Sequence, residues 1–165
     1  MNPLIDEKMI LTTSSAFMEL AYDWLGINIV REAYGPTDNE GLCHEYCCGI
    51  SLKGDVKGHV FLGLDGYTKL LMLPYIAKKF SLEEHPPEVV ESSLLSFMNQ
   101  FAGLIATELQ EFITRVDTGV PQIYSHKLLS LPTEKFRKYA LIFFLKDEEK
   151  QAYLGRAYLF LAIGK

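Results

Sequence analysis

Apolar residues recur at helical spacing from Pro87 to Ile113 and predict one long helix in this part of the chain. At about 100° per residue, its large apolar side chains fall on one broad side. They are Val90, Leu94, Phe97, Met98, Phe101, Ile105, Leu109 and Phe112. Pro86-Pro87 suits the start of a helix, where a missing N–H breaks no hydrogen bond. We expect the apolar side to be buried in the core.

The opposite side of this helix carries small, uncharged residues at i, i+4, i+7, i+11 and i+18, which align in a narrow stripe. They are Ser92, Ser96, Asn99, Gly103 and Gln110. No ionisable residue lies between Glu91 and Glu108, although a solvated face ordinarily carries Lys and Glu. We interpret the stripe as a surface on which a partner docks. From the residues alone, the alternative is a small-residue face packed against another helix or a second copy of the protein.

Two further helices are predicted before this one. Ile5–Leu25 has apolar residues at helical spacing and is ended by Gly26. Tyr67–Phe80 also reads as a helix, although Pro74 is expected to kink it or split it.

Strand patterns occupy much of the remaining chain. Gly41–Leu52 and Asp55–Leu64 are rich in alternating or β-branched residues and predict a hairpin with its turn at Lys53-Gly54. Three later segments predict strands, the last two joined by a charged, solvated loop. They are Gln122–Ser125, Tyr139–Leu145 and Ala152–Ile163.

This order of elements predicts an α+β fold in which a mainly antiparallel sheet is covered by helices. The chain has 165 residues, of which 48% are hydrophobic, so it can bury a substantial core. It is short for two domains, and we expect a single domain over residues 1–165.

Composition excludes several classes of function. A net charge of -5, with Lys and Arg scattered along the chain, argues against nucleic-acid binding, which needs concentrated positive charge. The N-terminus has acidic residues where a signal peptide needs basic and apolar ones, and no apolar run reaches the length of a membrane span. We therefore expect a cytoplasmic protein without a membrane partner.

The three cysteines all lie between Cys43 and Cys48. An odd number within six residues cannot form a disulfide framework, which favours a reducing compartment. A metal site is the alternative, but on a strand Cys43 and Cys47 would be about 13 Å apart and His44 would face the other side. We expect thiols without a metal.

The segment Ser92–Gly103, followed by Val116-Asp117 and Pro121, resembles the central helix and following strand of the CheX and CheC chemotaxis phosphatases. That family has a small or acidic residue, Glu four positions on, Asn three after that, Gly four later, and Pro opening the next strand. The corresponding positions here are Ser92, Ser96, Asn99, Gly103 and Pro121. The order of predicted elements is also similar to that of the CheX branch over nearly the whole chain.

The resemblance implies a reaction and a partner. Members of this family hydrolyse the aspartyl phosphate of a CheY-like response regulator, across which they lay the motif helix. The resemblance makes Asn99 the residue that orients the hydrolytic water, places Ser96 at the second catalytic position, and makes Ser92 and Gly103 contacts to the partner. Gln100 is added to the partner contacts because it is adjacent to Asn99, although it points about 100° away around the helix. Mg²⁺ would come with the phosphorylated regulator, so the protein needs no cofactor of its own. A homodimer is a further partner to consider.

This chain departs from the family at Ser96, where the family has a Glu that pairs with a Lys of the regulator. A serine hydroxyl is uncharged and short, so it cannot reproduce that ion pair. The protein is therefore either a weak phosphatase or a non-catalytic interaction or dimerisation module that keeps the fold. A small-ligand sensor is a weaker hypothesis than these two, because the aromatic residues are spread along the chain and suggest no pocket.

Overall fold

Helices and strands follow one another in the order that the sequence pattern predicts, with several additional strands. The computed structural model describes residues 3–38, 41–42, 44–81, 87–124, 129–132 and 134–165. Within these residues the helices are α1 (Pro3–Leu25), α2 (Gly66–Phe80) and α3 (Pro87–Leu109). The strands are β1 (Ile29–Pro36), β2 (Gly41–Leu42), β3 (Tyr46–Gly54), β4 (Gly58–Leu64), β5 (Val116–Thr118), β6 (Gln122–Ile123), β7 (Leu129–Ser130), β8 (Phe136–Asp147) and β9 (Ala152–Gly164). None of the described helices is long and apolar enough to span a membrane.

The main sheet has the strand order β1-β8-β9-β4-β3-β5, and β6 also pairs with β3. Every pairing in it is antiparallel. β2 and β7 form a separate antiparallel pair. The predicted α+β fold with a mainly antiparallel sheet is therefore confirmed.

The three helices pack on one face of this sheet, and Phe17 of α1 lies where α1 and α3 meet it. Its ring centroid is 5.9 Å from that of Phe97 and 6.0 Å from that of Phe101, both on α3, and 4.6 Å from that of Phe143 on β8. All four rings are buried. This cluster ties α1 and α3 to the same part of the sheet.

The opposite face of the sheet carries a smaller apolar cluster. Its buried members are Cys47, Phe61, Leu131, Phe160 and Ala162. Leu131 follows β7 directly, so the chain around β7 covers this part of the sheet.

The predicted hairpin is confirmed as β3 and β4, but its bounds differ. The turn lies at residues 55–57 and not at Lys53-Gly54, because β3 continues to Gly54 to pair with β5. Gly54 has a positive φ of 112°, and the Asp55 carboxylate accepts a hydrogen bond from the Arg115 backbone N–H at 3.0 Å. The start of the predicted first strand, Gly41–Leu42, instead forms β2.

The structure rules out a split at Pro74 and gives α3 an earlier end than the sequence predicts. Pro74 lies inside α2 and does not split it. Leu70 and Pro74 both lie on the exposed side, so the Leu70 carbonyl that loses its helical partner can bond to water. α3 ends at Leu109 and not at Ile113, since the Glu111 and Phe112 N–H groups bond three residues back.

The sequence pattern did not predict β1, β5 or β7, the last of which has only two residues. β1 is an edge strand, and only Ile29 in it is buried, so its apolar residues do not alternate with polar ones. β5 has three residues, too few to show a period.

A buried ionic group joins Asp6, near the start of α1, to Arg137 and Tyr139 at the start of β8. The Asp6 carboxylate accepts from Arg137 Nε at 2.6 Å and Nη2 at 2.8 Å, and from the Tyr139 hydroxyl at 2.7 Å. Arg137 Nη1 also donates to the Gly164 carbonyl at 3.1 Å. Burial alone would raise the pKa of Asp6, but the hydrogen bonds from Arg137 and Tyr139 outweigh it and hold the pKa below its ordinary value.

Asp6→Asn should lower the free energy of unfolding at pH 7 by roughly 2–4 kcal/mol, because Arg137 loses its counter-charge while largely buried. Since the folded pKa of Asp6 is lowered, its contribution is present above the unfolded pKa of about 4 and is lost as the pH falls through the folded pKa. Urea unfolding of the two proteins should therefore converge in acid. Glu32→Gln, which breaks the exposed Glu32–Arg156 pair, is the control and should cost much less. Equal losses for both variants would contradict this account.

Candidate functional site

The inner side of α3 is the side that the sequence pattern assigned to the core. Leu94, Phe97, Met98, Phe101, Ile105 and Leu109 are all buried. Phe112 is partly buried and lies in the turn after the helix, and the Val90 side chain lies outside the described residues. Burial of this side fixes which residues of α3 face outward.

The outward side of α3 is the predicted stripe. Ser92, Ser96, Asn99 and Gly103 are all exposed. Gln110 is exposed as well but lies beyond the end of α3, and its Nε2 donates to the Val116 carbonyl at 3.2 Å. Gln110 therefore supports the turn into β5 and is not part of the helical surface.

Asn99 lies near the middle of this surface. Ser96 is one turn before it and Gly103 one turn after it, each about 5 Å away along the axis. Within the described part of the chain, the side chains of Ser92, Ser96 and Asn99 have no hydrogen-bond partner. The Asn99 amide can therefore accept from and donate to a water molecule or a partner group.

Gly103 leaves open space on this surface. A Cβ atom added there would meet nothing within 4 Å. A partner can consequently approach the backbone of α3 closely one turn from Asn99.

Thr107 extends the stripe by one more turn and was missed in the sequence. It is exposed, and its hydroxyl donates to the Gly103 carbonyl within the same helix at 3.0 Å. Its spacing of four residues from Gly103 was the signal that could have identified it. We define the docking face as Ser92, Ser96, Asn99, Gly103 and Thr107.

Gln100 differs from its neighbours because its side chain is already bonded within the protein. It is exposed, yet its Oε1 accepts a hydrogen bond from Trp24 Nε1 on α1 at 3.1 Å. The contact of Gln100 to a partner stays a prediction. Its Nε2, which is not used in the bond to Trp24, would make that contact. The bond joins residues 76 positions apart, so helical spacing could not reveal it.

Carboxylates border the docking face near the C-terminal end of α3. Burial raises the pKa of Glu108, and the nearby carboxylates of Glu19 on α1 and Glu111 raise it further. Glu19 and Glu111 are exposed. The docking face is thus a neutral surface with an acidic border, which favours a partner that presents basic side chains beside it.

An apolar cavity of about 50 Å³ lies beneath the first half of α3. Residues of α1, α2, α3 and the sheet line it, among them Trp24, Met72, Leu94 and Phe97. An apolar cavity of about 150 Å³ can hold benzene, and this cavity is much smaller. The cavity therefore does not favour the small-ligand sensor.

The cysteine segment has separate environments for its thiols. Cys47 is buried in the smaller cluster and Cys48 in the main core, on opposite faces of β3. Burial raises the pKa of Cys48 to about 12, with a smaller contribution from Cys47. Among the described residues, no group of three or more His, Cys, Asp or Glu is placed to hold a metal. Cys43 lies outside those residues, so a metal-free segment stays a prediction.

Comparison with protein-family models gives no match, and comparison with curated protein sequences gives none. Solved structures do match. A CheX chemotaxis protein from Desulfovibrio desulfuricans has a TM-score of 0.78 at 10% identity, covering 94% of this chain and 99% of that one. A chain of the CheX–CheY–BeF₃–Mg²⁺ complex from Borrelia burgdorferi has 0.67 at 19% identity, covering 94% and 97%. A chain of the FliG–FliM complex from H. pylori has 0.68 at 7% identity, covering 96% and 91%.

These similarities confirm the CheX/CheC-like fold that the motif helix indicated. They cover more than nine tenths of the chain in each case. At these identities the likeness concerns the fold, and the roles of Asn99, Ser96, Ser92, Gly103 and Gln100 stay predictions.

Proposed function

We propose that this protein docks on a phosphorylated CheY-like response regulator through α3 and promotes hydrolysis of its aspartyl phosphate, with Asn99 orienting the water. The protein would act in the cytoplasm, in chemotaxis or another two-component pathway. The docking face is the observation that carries the proposal: it is an exposed, uncharged stripe centred on Asn99, whose side chain has no hydrogen-bond partner among the residues that the structure describes. The fold shared with a chain of a CheX–CheY complex supports this choice of partner.

The proposed chemistry asks little of this chain. The water oxygen forms a bond to phosphorus, the bond to the aspartyl oxygen breaks, and inorganic phosphate and a free carboxylate result. Phosphoryl transfer needs mainly positioning and charge neutralisation. The regulator and its Mg²⁺ would supply the charge neutralisation, and the Asn99 amide would hold the water in line. No general base from this protein is required.

Ser96 limits the strength of docking. A Glu at this position could form an ion pair with a Lys of the regulator, whereas the hydroxyl of Ser96 can form at most a neutral hydrogen bond. The acidic border at Glu19, Glu108 and Glu111 lies nearer the other end of the docking face and leaves Ser96 without a charged neighbour on α3. We therefore expect slow hydrolysis.

A non-catalytic interaction module is the second candidate. Ser96 favours it, and so does the similarity to a chain of the FliG–FliM complex, which is an assembly of proteins. Such a module would bind through the same docking face, alone or as a homodimer, without promoting hydrolysis.

The two candidates differ in one measurable rate. Regulators from the same genome are phosphorylated with acetyl phosphate, and loss of phosphate is followed with and without this protein. The proposal predicts faster loss with the wild-type protein and at least about tenfold less acceleration with Asn99→Ala, since the water is no longer oriented. Binding without acceleration would support the non-catalytic module and refute the phosphatase.

Gly103→Arg should weaken the complex with the regulator by about 2 kcal/mol or more, because the new side chain occupies the space where the partner approaches. Its melting temperature should stay near that of the wild type, since the position is open. Gly35→Arg is the control, because a Cβ added at Gly35 on β1 likewise meets nothing within 4 Å. Unchanged affinity for the Gly103 variant, measured by titration calorimetry, would rule out the docking face.

Ser96→Glu should accelerate hydrolysis roughly ten- to a hundredfold, if a charge-assisted contact of about 1.5–3 kcal/mol is gained and kept in the transition state. The fold should change by less than about 0.5 kcal/mol, since Ser96 is exposed and Glu is a good helix former. The gain should disappear when Asn99→Ala is added, because Glu would hold the helix and the amide would hold the water. A gain that survives the loss of Asn99 would refute the mechanism.

A further inference from the structure

Trp24, the single tryptophan of the chain, lies on α1 and contacts both α2 and α3. It lies near the end of α1 with only 5% of its surface exposed. Its ring packs edge-on against Phe80 of α2, with centroids 5.1 Å apart, and against Phe97 of α3, with centroids 5.4 Å apart. Its Nε1 donates to Gln100, the residue next to Asn99.

The apolar packing beneath the first half of α3, which includes Leu94 and Phe97, leaves a gap. The cavity of about 50 Å³ lies beneath it, lined by Trp24, Leu94 and Phe97. Apolar contacts are non-directional, whereas a hydrogen bond restricts both distance and angle. The Trp24–Gln100 bond therefore restrains rotation of α3 about its axis where the packing beneath it has a gap.

Rotation of α3 matters because Asn99 lies at its outer surface. Side-chain groups lie about 5–6 Å from a helix axis, so a rotation of about 10° moves them by roughly 1 Å. A misplacement of about 1 Å can slow a positioned reaction by about a hundredfold.

We infer that Trp24 and Gln100 are positioning residues, which fix the rotation of α3 and so aim the Asn99 amide at the phosphoryl group of the docked regulator. This inference rests on the proposed phosphatase function. Neither residue touches the reacting atoms, and their effect is transmitted through the backbone that Gln100 shares with Asn99.

The test compares wild type, Gln100→Met, Trp24→Phe and the double variant at increasing protein concentration with the phosphorylated regulator. Methionine has a similar length but no good acceptor, and phenylalanine keeps an aromatic ring but loses the N–H donor. Each single variant should lower the maximal rate of phosphate loss three- to tenfold, as roughly expected for a shift below 1 Å. The concentration for half-maximal rate should change less than about twofold. The maximal rate of the double variant should be no lower than that of a single variant, since all three variants remove the same Trp24–Gln100 hydrogen bond.

A second readout follows the bond without the regulator. The indole N–H of Trp24 gives one resolved proton signal, because the chain has no other tryptophan. Its exchange with solvent should be slow in the wild type and in Gln100→Glu, which keeps an acceptor, and several-fold faster in Gln100→Met. Melting temperatures are measured alongside, and Gln100→Met, at an exposed position, remains informative if Trp24→Phe unfolds.

The outcomes separate this inference from the proposed function. A wild-type protein that does not accelerate phosphate loss refutes the proposed function and the inference together. If the wild type is active and the variants have the same maximal rate, the inference alone is refuted. It is also refuted if the rate losses of the two single variants add up in the double variant. A loss confined to Gln100→Met that appears as a higher half-maximal concentration would instead assign Gln100 to contact with the regulator.

Discussion

The packing of Phe17 between α3 and β8 is the contact on which the rest of this structure depends. Its ring contacts Phe97 and Phe101 on α3 and Phe143 on the sheet, and all are buried. Because these rings fill the same part of the core, α3 can bury only one side, and the opposite side must face outward. The exposure of the docking face is thus a consequence of core packing and not of any polar interaction within the stripe.

The outward side of α3 is unusual in what it lacks. A helix that buries one side ordinarily carries charged residues on the other. The docking face has none, and the nearby carboxylates of Glu19, Glu108 and Glu111 lie at its border. Small uncharged groups cost little to desolvate when a partner covers them. This favours a surface that a second protein covers, with Asn99 as the group able to hold a water at its centre.

Periodicity predicted α3, both of its sides and most of the sheet, because long amphipathic segments carry a strong signal. It missed β1, whose edge position leaves nearly all of its residues partly or fully exposed. It misassigned Gln110, since the end of a helix depends on the turn that follows. The Trp24–Gln100 bond and the approach of Glu19 to Glu108 join residues far apart in sequence. Such contacts are set by tertiary packing, which spacing along one helix does not report.

Hydrogen–deuterium exchange of the protein with a beryllofluoride-loaded regulator and Mg²⁺ tests the central claim most directly, since beryllofluoride mimics the phosphoryl group without being hydrolysed. If the regulator binds the docking face, exchange should slow at the backbone amides of residues 92–107 of α3. The Gly103→Arg variant, mixed with the same regulator, should show no such slowing. Slower exchange confined to β1 or α2, with α3 unchanged, would contradict that claim.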